Sequence, residues 1–180
     1  SQNNEALRYA SCHVEVVRLL LAVPGITAED VRSRDNEALR DASCNGHAEV
    51  VRLLLAVPGI AAEDVRSWNN EALRFASIHG HVEVVRLLLA VPGIAAEDVR
   101  SQNNEALRYA SCHGHVEVVR LLLAVPGIAA EDVRSQNNEA LRYASCHVEV
   151  VRLLLAVPGI TAEDVRSRDN EALRDASCNG

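Results

Sequence analysis

Residues 101–134 read "SQNNEALRYASCHGHVEVVRLLLAVPGIAAEDVR", and the reading of this stretch decides the fold. Asn104 stands directly before Glu-Ala-Leu-Arg-Tyr-Ala-Ser. Asn is a favoured helix N-cap, and Glu105 suits the positive end of the helix dipole. Ala106, Leu107 and Ala110 form a narrow apolar stripe at helical spacing, which predicts a short first helix. Gly114 can adopt the left-handed conformation that ends helices. "VEVVRLLLAV" then predicts a second helix with Val118, Val119, Leu122 and Leu123 on one face, and Pro126 with Gly127 ends it. The remaining "IAAEDVRS" is a connector with room for one helical turn, most clearly where Thr27 or Thr161 can cap toward Asp30 or Asp164.

The same pattern recurs along the whole chain. Repeats occupy 1–32, 33–66, 67–100, 101–134 and 135–166, and a partial repeat occupies 167–180. Asn keeps its place at Asn4, Asn36, Asn70, Asn104, Asn138 and Asn170. Residues 1–46 and 135–180 are identical at an offset of 134. The chain therefore reads as one repeat array over 1–180, either a window cut from a longer array or an engineered or very recently duplicated one. Neither helix of a repeat can bury its apolar face alone, whereas stacked neighbours can. The expected fold is all-α, a solenoid of stacked helix–turn–helix repeats.

Composition narrows the function. Hydrophobic residues make up 48% of the 180, but aromatics only 3%, so the core must be aliphatic. The net charge is −7, and all 18 basic residues are Arg. An acidic chain with few aromatics lacks the phosphate-neutralising surface and stacking platforms of nucleic-acid binders. No apolar run reaches the ~20 residues of a membrane span. The expectation is no nucleic acid and no membrane.

Repeats one and five lack two residues of "HGH": "SCHVEVV" stands at 11–17 and 145–151, against "SCHGHVEVV" at 111–119. Three readings remain open. The turn tightens, with Ala10, Ser11 and Cys12 ending the first helix early and His13 capping the second. Or the two helices fuse from Glu5 to Val23. Or the pair is missing from the written sequence alone.

"GHAEVVRLLL" at 46–55 and "GHVEVVRLLL" at 80–89 and 114–123 resemble the second half of the ankyrin repeat, and "ALRYAS" sits where that repeat carries "PLHxAA". The resemblance covers nearly the whole chain. It implies a rigid, non-catalytic scaffold that binds proteins through a concave surface, with Gly46, His47, Gly80, His81, Gly114 and His115 as structural turn residues. The family's Thr-Pro-Leu-His is replaced by Glu-Ala-Leu-Arg, and "AVPGIAAEDVRS" is longer than the family's connector. The β-hairpins are therefore expected to be reduced, absent or helical. The variant is similar to arrays of amoeba-dwelling bacteria and large DNA viruses, which implies a secreted, host-directed role as one alternative. A tetratricopeptide array shares the 34-residue period, but it wants large aromatics and a helix-packing Gly that these repeats lack.

The remaining chemistry is sparse. Cys12, Cys44, Cys112, Cys146 and Cys178 recur one per repeat. Stacked repeats lie ~10 Å apart, beyond the ~7 Å limit for a disulfide, so these thiols should stay unpaired in a reducing, cytoplasmic compartment. Cys44 with His47, and Cys112 with His115, have C-x-x-H spacing but only two ligands each, so no metal is expected. Glu105 with Arg108, and Glu117 with Arg120, read as solvated helix pairs. Identical side chains repeated in every copy do not converge as a catalytic site requires. No enzyme activity and no cofactor are expected.

Differences between repeats cluster at two positions. The second reads Gln2, Arg34, Trp68, Gln102, Gln136, Arg168, and the ninth reads Tyr9, Asp41, Phe75, Tyr109, Tyr143, Asp175. In ankyrin arrays the corresponding positions line the partner-binding face. Tyr9, Arg34, Asp41, Trp68, Phe75, Ile78, Tyr109 and Tyr143 are therefore the candidate contact residues, with Trp68, Phe75 and Ile78 as an aromatic patch. The plainer role for Trp68 is packing on Arg34 or a neighbouring connector. Two functions follow: protein binding, or head-to-tail assembly with further copies of the chain into filaments.

Overall fold

A computed structural model describes residues 5–166. Every described repeat contains two antiparallel helices and a one-turn helix in the connector. In chain order these are α1 (Glu5–Tyr9), α2 (Val14–Leu21), α3 (Ala28–Val31), α4 (Ser33–Cys44), α5 (Ala48–Leu55), α6 (Ala62–Val65), α7 (Ser67–Ile78) and α8 (Val82–Leu89). They continue with α9 (Ala96–Val99), α10 (Ser101–Cys112), α11 (Val116–Leu123), α12 (Ala130–Val133), α13 (Ser135–Tyr143), α14 (Val148–Leu155) and α15 (Ala162–Val165). No strand occurs among the described residues, and the connectors hold one-turn helices where hairpins were an alternative. The partial repeat 167–180 lies outside the described residues.

Two compact bodies divide the chain, one up to Ile94 and one from Ala95. In the first, α1, α4 and α7 pack in one row and α2, α5 and α8 in another, with α3 and α6 against α4. Leu7, Leu39, Leu73, Val17, Val51, Val85, Leu54 and Leu88 fill the seam and are essentially inaccessible. In the second body, α10 packs on α13 and α11 on α14, around Leu107, Val119, Leu122, Leu141 and Leu154. Each helix is too short to be stable in water, so lateral burial supplies the stability.

The start of the first long helix departs from the sequence reading. Asn36, Asn70, Asn104 and Asn138 are not side-chain N-caps: their Oδ1 atoms accept no hydrogen bond. They form the last residue of a three-residue left-handed turn. Arg34, Asp35 and Asn36 have φ of 51°, 56° and 60°, and residues 68–70, 102–104 and 136–138 repeat this path. The right-handed helix therefore begins one residue after the Asn. The turn is held from outside, as Ser135 Oγ donates to Asn103 O at 2.8 Å and Ser67 Oγ to Asp35 O. Asn138 Nδ2 donates to Asp164 O at 3.1 Å. The Asn thus ties the turn to the connector of its own repeat, and the Ser bond ties the turn to the next repeat.

An Arg–Asp joint supplies the second tie. Arg32 Nε and Nη2 bind the Asp64 carboxylate at 2.7 and 3.0 Å, and Nη2 also donates to Gly59 O at 2.6 Å. Arg100 repeats the arrangement with Asp132 and Gly127, and Arg134 with Asp164 and Gly159. Each Asp also accepts the amide at the start of its one-turn helix, as Ala61 N to Asp64 at 2.9 Å. Where Thr is present it adds its hydroxyl, as Thr161 Oγ1 does to Asp164 at 3.0 Å. The expected connector turn with its Thr cap is therefore present, and Ala suffices in its place.

Repeats one and five take the tighter turn. Helix α1 ends at Tyr9, and His13 N reaches Ala10 O at 2.7 Å. In repeat five, Ala144–Cys146 form a 3-10 turn and His147 N reaches Ala144 O at 2.7 Å. The helices do not fuse, and His13 stands at the N-cap position without a side-chain hydrogen bond to the helix.

Candidate partner-binding face

Two of the turn histidines clasp the preceding repeat. His81 Nε2 donates to Cys44 O at 3.0 Å, and His147 Nε2 donates to Cys112 O at 3.0 Å. A Cβ on Gly46 would lie 2.6 Å from His81 Nδ1, and one on Gly114 2.5 Å from His147 Nδ1. Gly46, Gly80 and Gly114 also have φ of 76°, 73° and 72°, the left-handed end expected after each first helix. His147 occupies the place of the second His of "HGH". The residues lost in repeat five are thus the equivalents of His113 and Gly114. His47 shows no corresponding bond, because repeat one lacks the matching turn, and His115 keeps its place before α11.

The first-helix row carries a face that the sequence reading only partly anticipated. Arg8 bridges Glu37 at 3.4 Å, Arg40 bridges Glu71, and Arg108 bridges Glu139 at 3.1 Å. These Arg side chains are largely buried. The expected pairing of Glu105 with Arg108 inside one helix is therefore replaced by a bridge to the next repeat, because the row of first helices is packed and not solvated. The second helices do carry solvated pairs, with Glu117 to Arg120 at 3.4 Å and Glu149 to Arg152 at 3.4 Å.

Aromatic rings stand on this Arg row. Arg8 lies 4.3 Å from the Tyr9 ring centroid, Arg40 4.9 Å from Trp68, Arg74 5.7 Å from Phe75, Arg108 5.5 Å from Tyr109 and Arg142 5.2 Å from Tyr143. Tyr9 and Trp68 remain 68% and 61% exposed, and Tyr109 and Tyr143 are also exposed. Trp68 packs on Arg40 rather than Arg34, and its Nε1 donates to Asp35 Oδ2 at 3.3 Å. Arg34 instead reaches Glu5 at 3.2 Å. Phe75 and Ile78 are half-buried, and Phe75 stacks on His79 with centroids 6.1 Å apart. Trp68 and Phe75 are not in ring contact, so they form separate stations rather than one aromatic cluster. His113 on Tyr109 repeats the stack at 6.3 Å. The Arg before every ninth residue was the available signal for this arrangement.

Titration in the joints follows their geometry. Burial pushes the Asp64 and Asp132 carboxyls up, but the Arg32 or Arg100 hydrogen bond, the amide at the turn and the Asn36 or Asn104 side chain bring them below the usual range. The Arg134 hydrogen bond, opposed by burial, holds Asp164 at about 2. Burial raises the Cys44 and Cys112 thiols, and Cys12, Cys44, Cys112 and Cys146 are free. Cys44 Sγ lies 4.0 Å from His79 Nδ1, and no three metal-ligating side chains gather among the described residues. No described helix is long and apolar enough to cross a membrane.

Paired helices, glycine-closed turns and a His clasp between repeats define a protein of the helical-repeat class. A family model of three ankyrin repeats matches residues 39–129 and again 93–169, well over half of the chain. The chain belongs to the ankyrin-repeat family, whose members generally mediate protein–protein contacts and are generally non-catalytic scaffolds. A search of curated proteins gives no match.

Proposed function

We propose that this chain is a non-catalytic scaffold, a single array that binds a protein partner across the row of first helices and left-handed turns, the concave surface of ankyrin arrays. One observation carries the reading. The repeats share their second helices almost unchanged, yet they differ at the second and ninth positions, and those positions hold the exposed Tyr9, Trp68, Tyr109 and Tyr143. Exposed aromatics on a rigid base contribute disproportionately to binding energy. A display selection against the immobilised chain tests the reading. Binders should lose at least tenfold in affinity on Tyr9→Ala, Trp68→Ala or Tyr109→Ala, and be unchanged on Arg52→Ala or Arg120→Ala of the second helices. Binders that map to the second helices overturn it.

Head-to-tail self-association is the second reading. Val16 of α2 is 45% exposed, while its counterparts Val50, Val84 and Val118 are buried, and Leu19 is 70% exposed where Leu53, Leu87 and Leu121 are half-buried. The identity of residues 1–46 with 135–180 would let one copy present a familiar repeat to another. Sedimentation velocity at rising concentration separates the two: a constant monomer removes this alternative.

A further inference from the structure

We propose that the first body's face takes a cationic side chain, that of arginine, from a protein partner, with Asp41 as its carboxylate between Tyr9, Phe75 and Trp68. The inference rests on the partner-binding reading above and names the chemistry of the contact.

Asp41 interrupts the aromatic position. Its neighbours along the row are Tyr9 on α1 and Phe75 on α7, and both helices pack directly on α4. Packed helices lie ~8–10 Å apart, so a long side chain laid over Asp41 reaches a ring on either side. The carboxylate is half-buried and makes no hydrogen bond or ion pair among the described residues. The charges facing it are Glu37, Glu71, Arg8 and Arg40. Both guanidinium groups are already engaged, Arg8 with Glu37 and Tyr9, and Arg40 with Glu71 and Trp68. Arg34 also reaches Glu37 at 4.0 Å while paired with Glu5, so Glu5, Glu37, Asp41 and Glu71 meet Arg8, Arg34 and Arg40, and one negative charge is left over. Burial, then Glu37, pushes the Asp41 carboxyl up by more than Arg40 and Arg8 pull it down. A guanidinium brings the missing charge, presents paired donors to a carboxylate and stacks on aromatic faces. An apolar side chain would satisfy the rings and leave the acid stranded. Among the described residues the ninth position carries an acid only here, since the second body has Tyr109 and Tyr143. The net charge of −7 favours the same sign of partner.

Trp68 is the sole Trp, so its fluorescence reports on this site. The probes are nine-residue peptide mixtures, free of Trp, that fix arginine, citrulline, norleucine or glutamate at the centre. The arginine-centred mixture should bind at least tenfold tighter than the citrulline-centred one, which has nearly the same shape without the charge. Asp41→Asn should bring the two within about twofold while the far-ultraviolet spectrum stays unchanged, and Phe75→Ala should weaken the arginine mixture. Equal binding of arginine and citrulline, or no saturation by any mixture, overturns the proposal. If display-selected binders still depend on Tyr9 and Trp68 in that case, only the cation preference has failed. If they do not, the binding face has failed with it.

Discussion

Single residues carry two kinds of left-handed backbone here, and they respond oppositely to substitution. Gly46 has φ of 76° and lies under the His81 ring, so Gly46→Ala meets both strain and a clash. Gly25 has φ of 93° with open space around its Cβ position. Urea titration should show Gly46→Ala losing about 2–4 kcal/mol and Gly25→Ala about 1–2 kcal/mol. Gln102 is left-handed at 53° but bears a side chain. Gln102→Gly should therefore leave stability unchanged or raise it by up to about 1 kcal/mol, unlike a glycine placed in an ordinary helix. Asp164 sets a pH dependence. Its folded value of about 2 lies below the ordinary 3.8, so its stabilisation is complete above about pH 4 and is lost as pH falls toward 2. Thermal melts across that window should show a slope that flattens in Asp164→Asn. The sequence disclosed the Thr and Asp of this turn but not its Arg partner. Arg32 and Asp64 are 32 residues apart, and no local rule pairs them.

Among elements, helix periodicity made the second helices plain: Val, Val, Leu at fixed spacing, a glycine before and Pro-Gly after. The first helices were less legible. Asn followed by Glu has the pattern of a cap, yet the chain takes a left-handed turn, because Ser of the next repeat and the buried Asn side chain hold it from outside. Local propensity cannot register a support supplied by a neighbour. The proposed binding face shared that fate. The variable positions were visible in the sequence, whereas the Arg row beneath them depends on stacking. Repeat five offers a direct check on how the turn works. Inserting Gly-His after His147 restores the 34-residue spacing, extends α13 through its 3-10 end and rebuilds the turn of repeat four. Circular dichroism should show a small gain in helicity, and the melting temperature should rise.

At the scale of the molecule, stability lies in the seams between repeats. Leu73 is fully buried where neighbouring first and second helices meet, whereas Leu19 is 70% exposed. Leu73→Ala should cost about 2–5 kcal/mol by denaturant unfolding, and Leu19→Ala within about 0.5 kcal/mol. Leu19→Ala changes sedimentation only if copies of the chain associate through α2. The Arg–Asp–Gly joints carry a broader consequence. Those at Arg32, Arg100 and Arg134 use the same three partners at nearly the same distances. A coupling repeated at successive junctions makes modules interchangeable. Recombination that cuts out or copies whole 34-residue modules, whose turns also match, carries this joint with it, so such an array can lengthen or shorten over generations without relearning how to fold.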